Sequence, residues 1–480
     1  MSGVRHDAGA AADAPEVSVV VPYYRAQVDL DRLVAALAVQ DHPASRLQLV
    51  VADDGSPEPP VLPGDLPFAS VVVRQEDRGF RASAARALGV RAAEGRVLAF
   101  LDGDMLPEPG YLSAACALPA VSADAVVVGR RRHLRPEAVA AGWRPGEPVP
   151  EGDLLEEPAW LRQAYAASGD LAVTDATSYR FVISAVLTVA REVYEDAGGF
   201  DPAFVGYGGE DWELAHRLWR VGGTLRHEPA AVAWQAGEDF GGREDPAAAR
   251  AVKQREGLVL ASRITATTAR GHGLALAGPQ RVAVRVRAED APGEDSEAAA
   301  VVGVDAALQA FPGARVTVTG VASDAARAAF ADPRVAACDG EAAGARASGG
   351  VLPAPPARGD LAGVRGVPDW AVDLRVPLRP AGRGERPDPA RAAGWLLRIE
   401  RAGVERVEVL GEPGERAARP NGEGDAAARP VLATLTSSRA RWRARRGGGP
   451  GRVWRVPASR LGWAPVPADV DLEAWWGGWA

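Results

Sequence analysis

The chain is poor in residues that would place it among disulfide-rich or membrane-spanning proteins. Its 480 residues include two cysteines, Cys116 and Cys338, which lie far apart in the sequence and match no metal-binding spacing. We therefore expect no disulfide framework, and a reducing cytoplasm is the natural compartment. The longest apolar stretch, near residues 181–190, is too short to cross a bilayer. We expect no transmembrane segment, although contact with a membrane surface stays open.

Lysine and asparagine are almost missing, since Lys253 and Asn421 are the only examples. Arginine supplies nearly all of the positive charge, and alanine, glycine and proline are abundant, a bias typical of a bacterial genome rich in G and C. The net charge of −8 does not favour binding to nucleic acid. The absence of a lysine or an asparagine from a motif is therefore explained by the composition of the chain as well as by a loss of function.

The length of the chain predicts more than one hydrophobic core. Its hydrophobic fraction of 47% and charged fraction of 25% are ordinary for a globular protein. We expect residues 1–14 to be disordered, residues 15–262 to form the larger α/β domain, and residues 263–480 to form a smaller α/β accessory domain of unknown role. The sequence shows no convincing internal repeat.

Short β-branched runs alternate with helical patterns in the first hundred residues. Residues 17–21, 47–52 and 97–101 are predicted to be buried parallel strands, and residues 82–94 a helix. This alternation predicts a mostly parallel sheet with helices on both faces. Because ligands of such sheets bind beyond the carboxyl ends of the strands, the residues that follow the strands are candidates for a site.

Acidic residues follow two of these predicted strands. Asp102 and Asp104 form an Asp-x-Asp pair whose oxygens suit Mg²⁺ or Mn²⁺, and such an ion would neutralise a leaving diphosphate. Asp53 and Asp54 begin an Asp-Asp-Gly-Ser segment that could bind a nucleobase or ribose. For each pair a solvated turn is the alternative.

A third acidic pair, Glu210 and Asp211, follows the segment GYGG at the predicted start of a helix. Glycines there let the backbone approach a ligand closely. One carboxylate could bind an acceptor hydroxyl while the other removes its proton. The alternative is that both acids only complement the helix dipole.

Together these segments resemble a known enzyme family. The order VSVVVPYYR, VVADDGS, FRASAARALGVRAAEG, VLAFLDGDM, GGFDPAFVGYGGEDWEL is similar to that of family 2 glycosyltransferases of the GT-A fold. The segment GYGGEDWEL resembles the galactosyltransferase and chondroitin-polymerase branch. The resemblance covers residues 15 to about 255 and implies a Rossmann-like GT-A domain over residues 15–262.

The resemblance implies a role for individual residues. Asp102 and Asp104 would bind the metal, Glu210 the acceptor sugar, and Asp211 would be the catalytic base of an in-line displacement that inverts the anomeric carbon. Trp212 would stack on the acceptor sugar, unless the helix simply buries it. The nucleotide-sugar donor, expected to be a UDP-sugar, would contact residues at or after the strand ends, namely Pro22, Tyr24, Asp54 or its neighbour Asp53, and Asp102. It would also contact Arg81 and Arg86, which lie in a segment that resembles the donor-lining helix of the family.

Two positions depart from the family pattern. Ala87 stands where the family often has asparagine, and Gln235 stands where its third metal ligand is often histidine. An amide oxygen can bind a hard cation, although more weakly than histidine does. Because Gln235 stands at the position of the third ligand and carries such an oxygen, it is the expected third ligand. His227 could replace it, although a lone histidine is more often structural.

Four further segments carry weaker signals. Residues 130–132 are arginines that could hold a diphosphate or lie on a solvated surface, and residues 135–175 are expected to form a long surface excursion. In the second half, residues 395–400 are predicted to be a strand. Residues 437–455 are basic with interleaved tryptophans, which could bind phosphate or sugars or simply form a helix followed by a loop.

Three functions are compatible with these observations. The first is an inverting, metal-assisted glycosyltransferase that uses a glycan or a small molecule as acceptor. The second is a nucleotidyltransferase, but the first strand leads into Pro22 and Tyr24 without the glycine-rich loop of that class. The third is a non-catalytic module that binds nucleotide sugar or carbohydrate. Ala87 and Gln235 favour this function because they depart from the family pattern. We expect no nucleic-acid partner.

Overall fold

The computed structural model describes residues 14–237, 246–266, 269, 281–290, 296–338, 356–361, 365, 368–375, 377–380, 389–411, 429–448, 451–461 and 463–466. The expectation of disorder at the start of the chain thus falls almost entirely on residues outside this part. The chain divides into two compact units. The first unit comprises Met1–Ala261 with Ala357–Val364, and the second comprises Ser262–Pro356 with Arg365–Ala480. Within the described residues, every helix is too short or too polar to cross a membrane.

The first unit alternates strands and helices over most of its length. Its strands are β1 (Val17–Tyr23), β2 (Leu47–Asp53), β3 (Ala69–Arg74), β4 (Val97–Leu101), β5 (Met105–Pro107), β6 (Ala125–Leu134), β7 (Leu154–Leu155), β8 (Val186–Ala190) and β9 (Thr224–Ala236). Its helices are α1 (Gln27–Ala38), α2 (Ala82–Ala92), α3 (Tyr111–Val121), α4 (Pro136–Ala140), α5 (Ala159–Ser168), α6 (Arg191–Asp196), α7 (Glu210–Arg220) and α8 (Pro246–Ala261).

These strands form one sheet in the order β3-β2-β1-β4-β8-β6-β9-β5, with β7 paired to β6. Strands β3, β2, β1, β4, β6 and β9 run in one direction, and β5, β7 and β8 run in the other. The sheet is therefore mostly parallel, as the sequence predicts. The carboxyl ends of β1, β2 and β4 meet at one edge, where the predicted acidic clusters begin.

The centre of the sheet is covered on both faces. Every residue of β4 is buried, and β1 is buried except at Pro22, which explains their continuous apolar sequence. Helix α2 lies close to β1 because Gly89 has no side chain. A β-carbon added at Gly89 would lie 2.6 Å from Val20 Cγ1.

The second unit has its own sheet, in the order β12-β11-β10-β13-β16-β15-β17. Its strands are β10 (Val282–Arg287), β11 (Arg315–Thr319), β12 (Val335–Cys338), β13 (Trp370–Leu374), β14 (Leu378–Pro380), β15 (Val404–Leu410), β16 (Val431–Ser437), β17 (Arg452–Pro457) and β18 (Trp463–Pro465). Its helices are α9 (Ser296–Ala310), α10 (Asp324–Ala329), α11 (Pro389–Arg401) and α12 (Ser438–Arg445). Strands β14 and β18 pair separately.

Two expectations from the sequence differ from the structure. Residues 395–400, predicted to be a strand, belong to helix α11, because a short apolar run does not distinguish the two and Leu396 and Ile399 are core positions at helical spacing. The excursion at 135–175 contains two helices, α4 and α5, and it buries Trp143 and Tyr165. It is therefore a packed part of the first unit.

Helix α7, which begins with the third acidic pair, is held in place by a buried ion pair. Arg217 donates to Glu213 from Nη2 at 2.5 Å and from Nε at 2.8 Å, and both side chains are 1% exposed. Arg217 also donates to the carbonyl oxygen of Ala197. One side chain thus fixes the helix to the segment that precedes it.

We predict that Arg217→Met lowers the free energy of unfolding of the first unit by roughly 3–5 kcal/mol, because it leaves the Glu213 carboxylate buried without its cation. Chemical denaturation followed by tryptophan fluorescence would measure this. The double variant Glu213→Leu/Arg217→Met is the control and should recover most of the loss. A double variant as unstable as Arg217→Met would show that the buried charge is not the cause.

Candidate functional site

Arg86 joins two of the predicted acidic clusters. It lies on α2 with its side chain 4% exposed, and it donates from Nη2 to Asp102 Oδ1 at 2.6 Å and from Nη1 to Glu210 Oε1 at 3.1 Å. Its guanidinium also lies 5.3 Å from the ring centroid of Phe200. Burial lowers the pKa of Arg86, but the two carboxylates outweigh burial and the pKa is raised. Arg86 therefore stays charged.

Asp211 is the carboxyl group most altered by its surroundings. Burial, followed by the charge of the neighbouring Glu210, raises its pKa to about 7, while Arg86 acts in the opposite direction. Its Oδ1 accepts a hydrogen bond from the backbone N–H of Trp212 at 2.8 Å. A carboxylate that titrates near neutral pH is suited to general-base chemistry.

Helix α8 covers the glycine segment before Asp211. Gly208 and Gly209 have φ of +97° and +90°, and a β-carbon on Gly208 would lie 2.8 Å from Glu256 Oε2. Lys253 donates to the same oxygen at 2.8 Å, and its Nζ lies 5.4 Å from the ring centroid of Trp212. The charge of Glu256 contributes to the raised pKa of Asp211. The glycines thus admit a helix that closes one side of the site.

A cavity of about 540 Å³ lies beside these groups, all within the first unit. Five of the predicted site residues line it, namely Arg86, Asp102, Glu210, Asp211 and Trp212. Four other residues of the cavity wall belong to no motif in the sequence, because they come from α5, from the turn at residues 178–181 and from α8: Trp160, Arg180, Lys253 and Glu256. Phe80, Arg131 and Tyr207, which belong to segments already singled out from the sequence, also line the cavity.

Asp54 belongs to a neighbouring cluster at the end of β2. Its Oδ2 accepts from the backbone N–H of Arg81 at 2.7 Å, and its Oδ1 accepts from Gln75 Nε2 at 2.6 Å. Tyr24 is half-exposed nearby in the fold, and its hydroxyl donates to Asp77 Oδ2 at 3.2 Å. Because Arg81 directly precedes α2, this cluster is connected along the chain to Arg86.

Asp53 is placed differently from Asp54. It is fully buried, its Oδ1 accepts from the backbone N–H of Ser56 at 2.9 Å, and its Oδ2 lies 3.3 Å from Arg74 Nε. Asp53 therefore stabilises the turn after β2. Of the two acids, Asp54 is the one that lies beside Arg81 and α2.

Asp104 and Gln235 lie together because β5 pairs with β9. Met105 is opposite Gln235 in this pairing, and Gln235 Nε2 donates to Asp104 Oδ2 at 2.7 Å. Burial and the charge of Asp102 raise the pKa of Asp104. Gln235 Oε1 is buried and accepts no hydrogen bond from any residue that the structure describes.

This arrangement fits a hard divalent cation. Asp102 and Asp104 supply carboxylate oxygens, and the amide oxygen of Gln235 is a buried acceptor in need of a positive partner. The Asp104 carboxylate, whose pKa is raised by burial and by the charge of Asp102, is stabilised when a cation neutralises it. Within the described residues, His, Cys, Asp and Glu form no group of three that could hold a metal.

His227 does not take the place of the third ligand. It lies near the start of β9, opposite Val128, whereas Gln235 lies opposite His133, five residues further along β6. At about 3.3 Å per residue this separation is far beyond the reach of a side chain. Its ring stacks on Tyr165 at 3.7 Å between centroids, and its Nδ1 lies 2.8 Å from Asp170 Oδ1. The alternative ligand considered from the sequence is therefore wrong.

The arginine run and the basic C-terminal segment are mostly structural. Arg130 pairs with Glu157 at 2.6 Å, and Arg132 lies 4.3 Å from the ring centroid of Trp234. Trp442 on α12 is 2% exposed and belongs to the interior of the second unit. The helix expected within residues 437–455 is present, but the loop expected after it is wrong from Arg452 onward, where β17 begins. Trp442 is not available to stack on a ligand.

Comparisons with known proteins agree with this geometry. The model of glycosyl transferase family 2 matches residues 18–166, and the model described as the N-terminal domain of galactosyltransferase matches residues 174–233. The matched residues include all three acidic clusters and α2.

The relatives match the same part of the chain. Validoxylamine A glucosyltransferase of Streptomyces hygroscopicus subsp. limoneus is 32% identical over 230 residues, which cover 44% of this chain and 49% of the relative. Chondroitin synthase of Escherichia coli is 28% identical over 241 residues, which cover 45% of this chain and 34% of the relative. A solved structure of a mannosyltransferase from Pyrobaculum calidifontis, described as a complex with GDP-Man and Mn²⁺, aligns at 20% identity with a TM-score of 0.36. The alignment covers 53% of this chain and 64% of the mannosyltransferase.

Residues 18–166 and 174–233 thus match the models of glycosyl transferase family 2 and of the galactosyltransferase N-terminal domain, and the resemblance expected from the sequence is confirmed. The predicted fold class, a mostly parallel α/β sheet of GT-A type with a second α/β domain, is confirmed as well. The chain spans about half the length of the first curated relatives that it matches.

We predict that the Asp211 carboxyl titrates near pH 7 and that Glu256→Gln lowers this pKa, because the variant removes a nearby negative charge. Carbon-13 NMR of labelled aspartate would measure it, with Asp211→Asn identifying the resonance. Asp65→Asn, an exposed site in the loop before β3, is the matched control and should change nothing. An Asp211 pKa that stays near 4 in the unaltered chain would contradict the description of the site.

Proposed function

We propose that the chain is an inverting glycosyltransferase that moves a sugar from a nucleoside diphosphate donor to an acceptor hydroxyl. The observation that carries this proposal is the placement of Asp211 in the cavity beside the Arg86–Asp102–Glu210 cluster. It puts a carboxylate with a pKa near 7 next to groups suited to donor and acceptor. The nucleotidyltransferase and the binding module lack comparable support.

The donor would lie along the carboxyl edge of the sheet. Asp54 and Tyr24 are suited to the nucleoside, with Pro22 at its edge, and Arg81 fixes Asp54 through its backbone N–H. A UDP-sugar is the donor class to test first. Asp102 would face the ribose or the diphosphate.

The metal, when bound, would act as a Lewis acid on the departing diphosphate. Asp102, Asp104 and Gln235 are the residues that would hold it. The buried, unbonded Oε1 of Gln235 and the raised pKa of Asp104 support this assignment.

Asp211 would remove the proton of the acceptor hydroxyl. The acceptor oxygen then forms its bond to the anomeric carbon from the face opposite the donor phosphate. The bond between that carbon and the phosphate oxygen breaks, and its electron pair leaves with the nucleoside diphosphate. Glu210 would hold the acceptor by a hydrogen bond, and Arg86 orients Glu210 by donating to its Oε1.

The acceptor would occupy the part of the cavity between α7 and α8. Trp212 offers a ring face, and Lys253 lies over that ring within reach of a polar substituent. The relatives named as a validoxylamine A glucosyltransferase and a chondroitin synthase make a small hydroxylated molecule and a glycan the two acceptor classes to test.

We predict that Asp211→Asn lowers the rate of transfer by roughly 10²–10⁴-fold, because the amide cannot take the proton, while the dissociation constant of the donor nucleotide changes little. Release of nucleoside diphosphate and calorimetric nucleotide binding would measure the two quantities. Asp65→Asn is again the control. Transfer at the unaltered rate by Asp211→Asn would remove the base assignment.

The rate of transfer should fall as the pH drops below about 7. The base must be ionised to accept a proton, and a pKa raised to about 7 leaves it protonated below that pH. We expect about a tenfold loss of kcat for each pH unit in the acid limb, and Glu256→Gln should move the limb to lower pH. A profile that is flat between pH 5 and 8 would contradict this.

Metal binding gives a test that is independent of turnover. We predict that Gln235→His raises the affinity for Mn²⁺ alone by roughly tenfold, because imidazole is a stronger ligand than an amide oxygen. Asp104→Ala should abolish binding. Electron paramagnetic resonance of free Mn²⁺ would measure both. Equal Mn²⁺ affinity for the unaltered chain, Gln235→His and Asp104→Ala would remove the metal assignment.

A further inference from the structure

The second unit repeats the strand order of the first. In the first sheet β4 is followed by the antiparallel β8 and then by β6 and β9, and in the second sheet β13 is followed by the antiparallel β16 and then by β15 and β17. On the other side, β1, β2 and β3 correspond to β10, β11 and β12, all parallel. The correspondence includes the one antiparallel strand that lies inside each sheet.

The connections agree as well. Three residues separate β4, which ends at Leu101, from the short β5, which begins at Met105, and three separate β13, ending at Leu374, from the short β14, beginning at Leu378. The short strand pairs antiparallel with β9 in the first unit and with β18, which follows β17, in the second. Helices α6 and α12 begin directly after β8 and β16.

We infer that the second unit is a second copy of the GT-A fold that has lost its donor site. The chain would therefore have one catalytic centre, in the first unit. This inference goes beyond the proposed function, since it assigns the half of the chain that neither family model matches. It also explains how the repeat escapes notice in the sequence, because the strand order is kept while the motifs are not.

The metal-binding positions are replaced in the second unit. The equal spacing between strands places Arg375 at the position of Asp102 and Pro377 at that of Asp104. Leu378 is opposite Pro465, as Met105 is opposite Gln235, so Pro465 occupies the position of the third ligand. An arginine and two prolines offer no side-chain oxygen to a cation.

The nucleoside position is also changed. Val282 is the first residue of β10 that pairs with β13, as Val17 is the first residue of β1 that pairs with β4, so Val282 corresponds to Val17. When both registers are continued to the neighbouring strands β11 and β2, Gly320 and Val321 fall at the positions of Asp53 and Asp54. The carboxylate of Glu289 accepts from Thr319 Oγ1 at 2.8 Å and would overlap a β-carbon on Gly320. The same alignment places the Glu289 carboxylate at the position of Tyr24, where it would repel a diphosphate.

The segment that carries the catalytic base has no counterpart. In the first unit residues 197–223 separate α6 from β9 and include Glu210 and Asp211. In the second unit residues 446–451 alone separate α12 from β17. Six residues cannot form a helix of the length of α7. The counterpart of α2 falls in residues 339–369, of which the structure describes only a part.

An experimental structure of the full chain would test the repeat directly. We expect residues 281–466 to form a sheet in the order found here, with β16 as the inner antiparallel strand, that superimposes on the sheet of residues 17–236. A different strand order, or an all-parallel centre, would overturn the inference whatever the chain binds.

Calorimetry of the full chain with UDP, GDP and CMP in the presence of Mn²⁺ would test the loss of the donor site. We expect one nucleotide per chain and none for Asp54→Ala/Asp104→Ala. The matched variant Val321→Ala/Arg375→Ala, at the corresponding positions, should keep one site with an affinity within twofold. Two nucleotides per chain, or one remaining in the first variant, would overturn the inference. If none of these nucleotides bound the unaltered chain, the proposed function would fail. The strand order in the structure of the full chain would still show whether the second unit repeats the fold of the first.

Discussion

The site depends on one buried guanidinium that is shared between two carboxylates. Arg86 comes from a helix, Asp102 from the end of a central strand and Glu210 from the start of another helix, so a single side chain fixes three elements relative to one another. Burying these charges separately would cost several kcal/mol each, and only their mutual contact offsets the cost. Without Arg86, the acids on both sides of the cavity would repel each other.

The same cluster controls the proposed base. Burial and the charge of Glu210 favour the protonated form of Asp211, and the charge of Arg86 favours the ionised form. The balance leaves the pKa near neutrality, where a base can both accept and release a proton. Glu256 adds to this balance from α8, a helix that lies outside both matched segments, so the raised pKa of Asp211 depends in part on a residue beyond the recognisable motifs.

Much of the first unit could be predicted from the sequence, because its strands are short, buried and followed directly by their acids. Asp102 is predicted through that placement, and Glu210 and Asp211 through the glycine segment before a predicted helix and through the family resemblance. Glu256 and Lys253 could not be found this way, since nothing local in α8 connects it to a loop more than forty residues earlier. Arg131 was noticed as a charge, but the extension of β6 to Leu134 is set by pairing with β9, which a local pattern does not show.

The second unit shows the limit of local patterns more clearly. Its alternation of strands and helices was recognised, but the sheet order arises from pairings between distant segments, such as β13 with β16. A short apolar run such as residues 395–400 also fits a helix or a strand equally well until its partners are known. The repeat of the fold is therefore visible only in the arrangement of the strands.

The most direct test of this account is a double-mutant cycle on the rate of sugar transfer with Arg86→Met and Glu210→Gln. If Arg86 acts by holding Glu210 and Asp102 in place, the two losses are not additive, and the double variant is no slower than Arg86→Met alone. Losses that multiply would mean that the two residues act independently. In that case the contacts of Arg86 with Asp102 and Glu210 would not be the interaction on which the site depends.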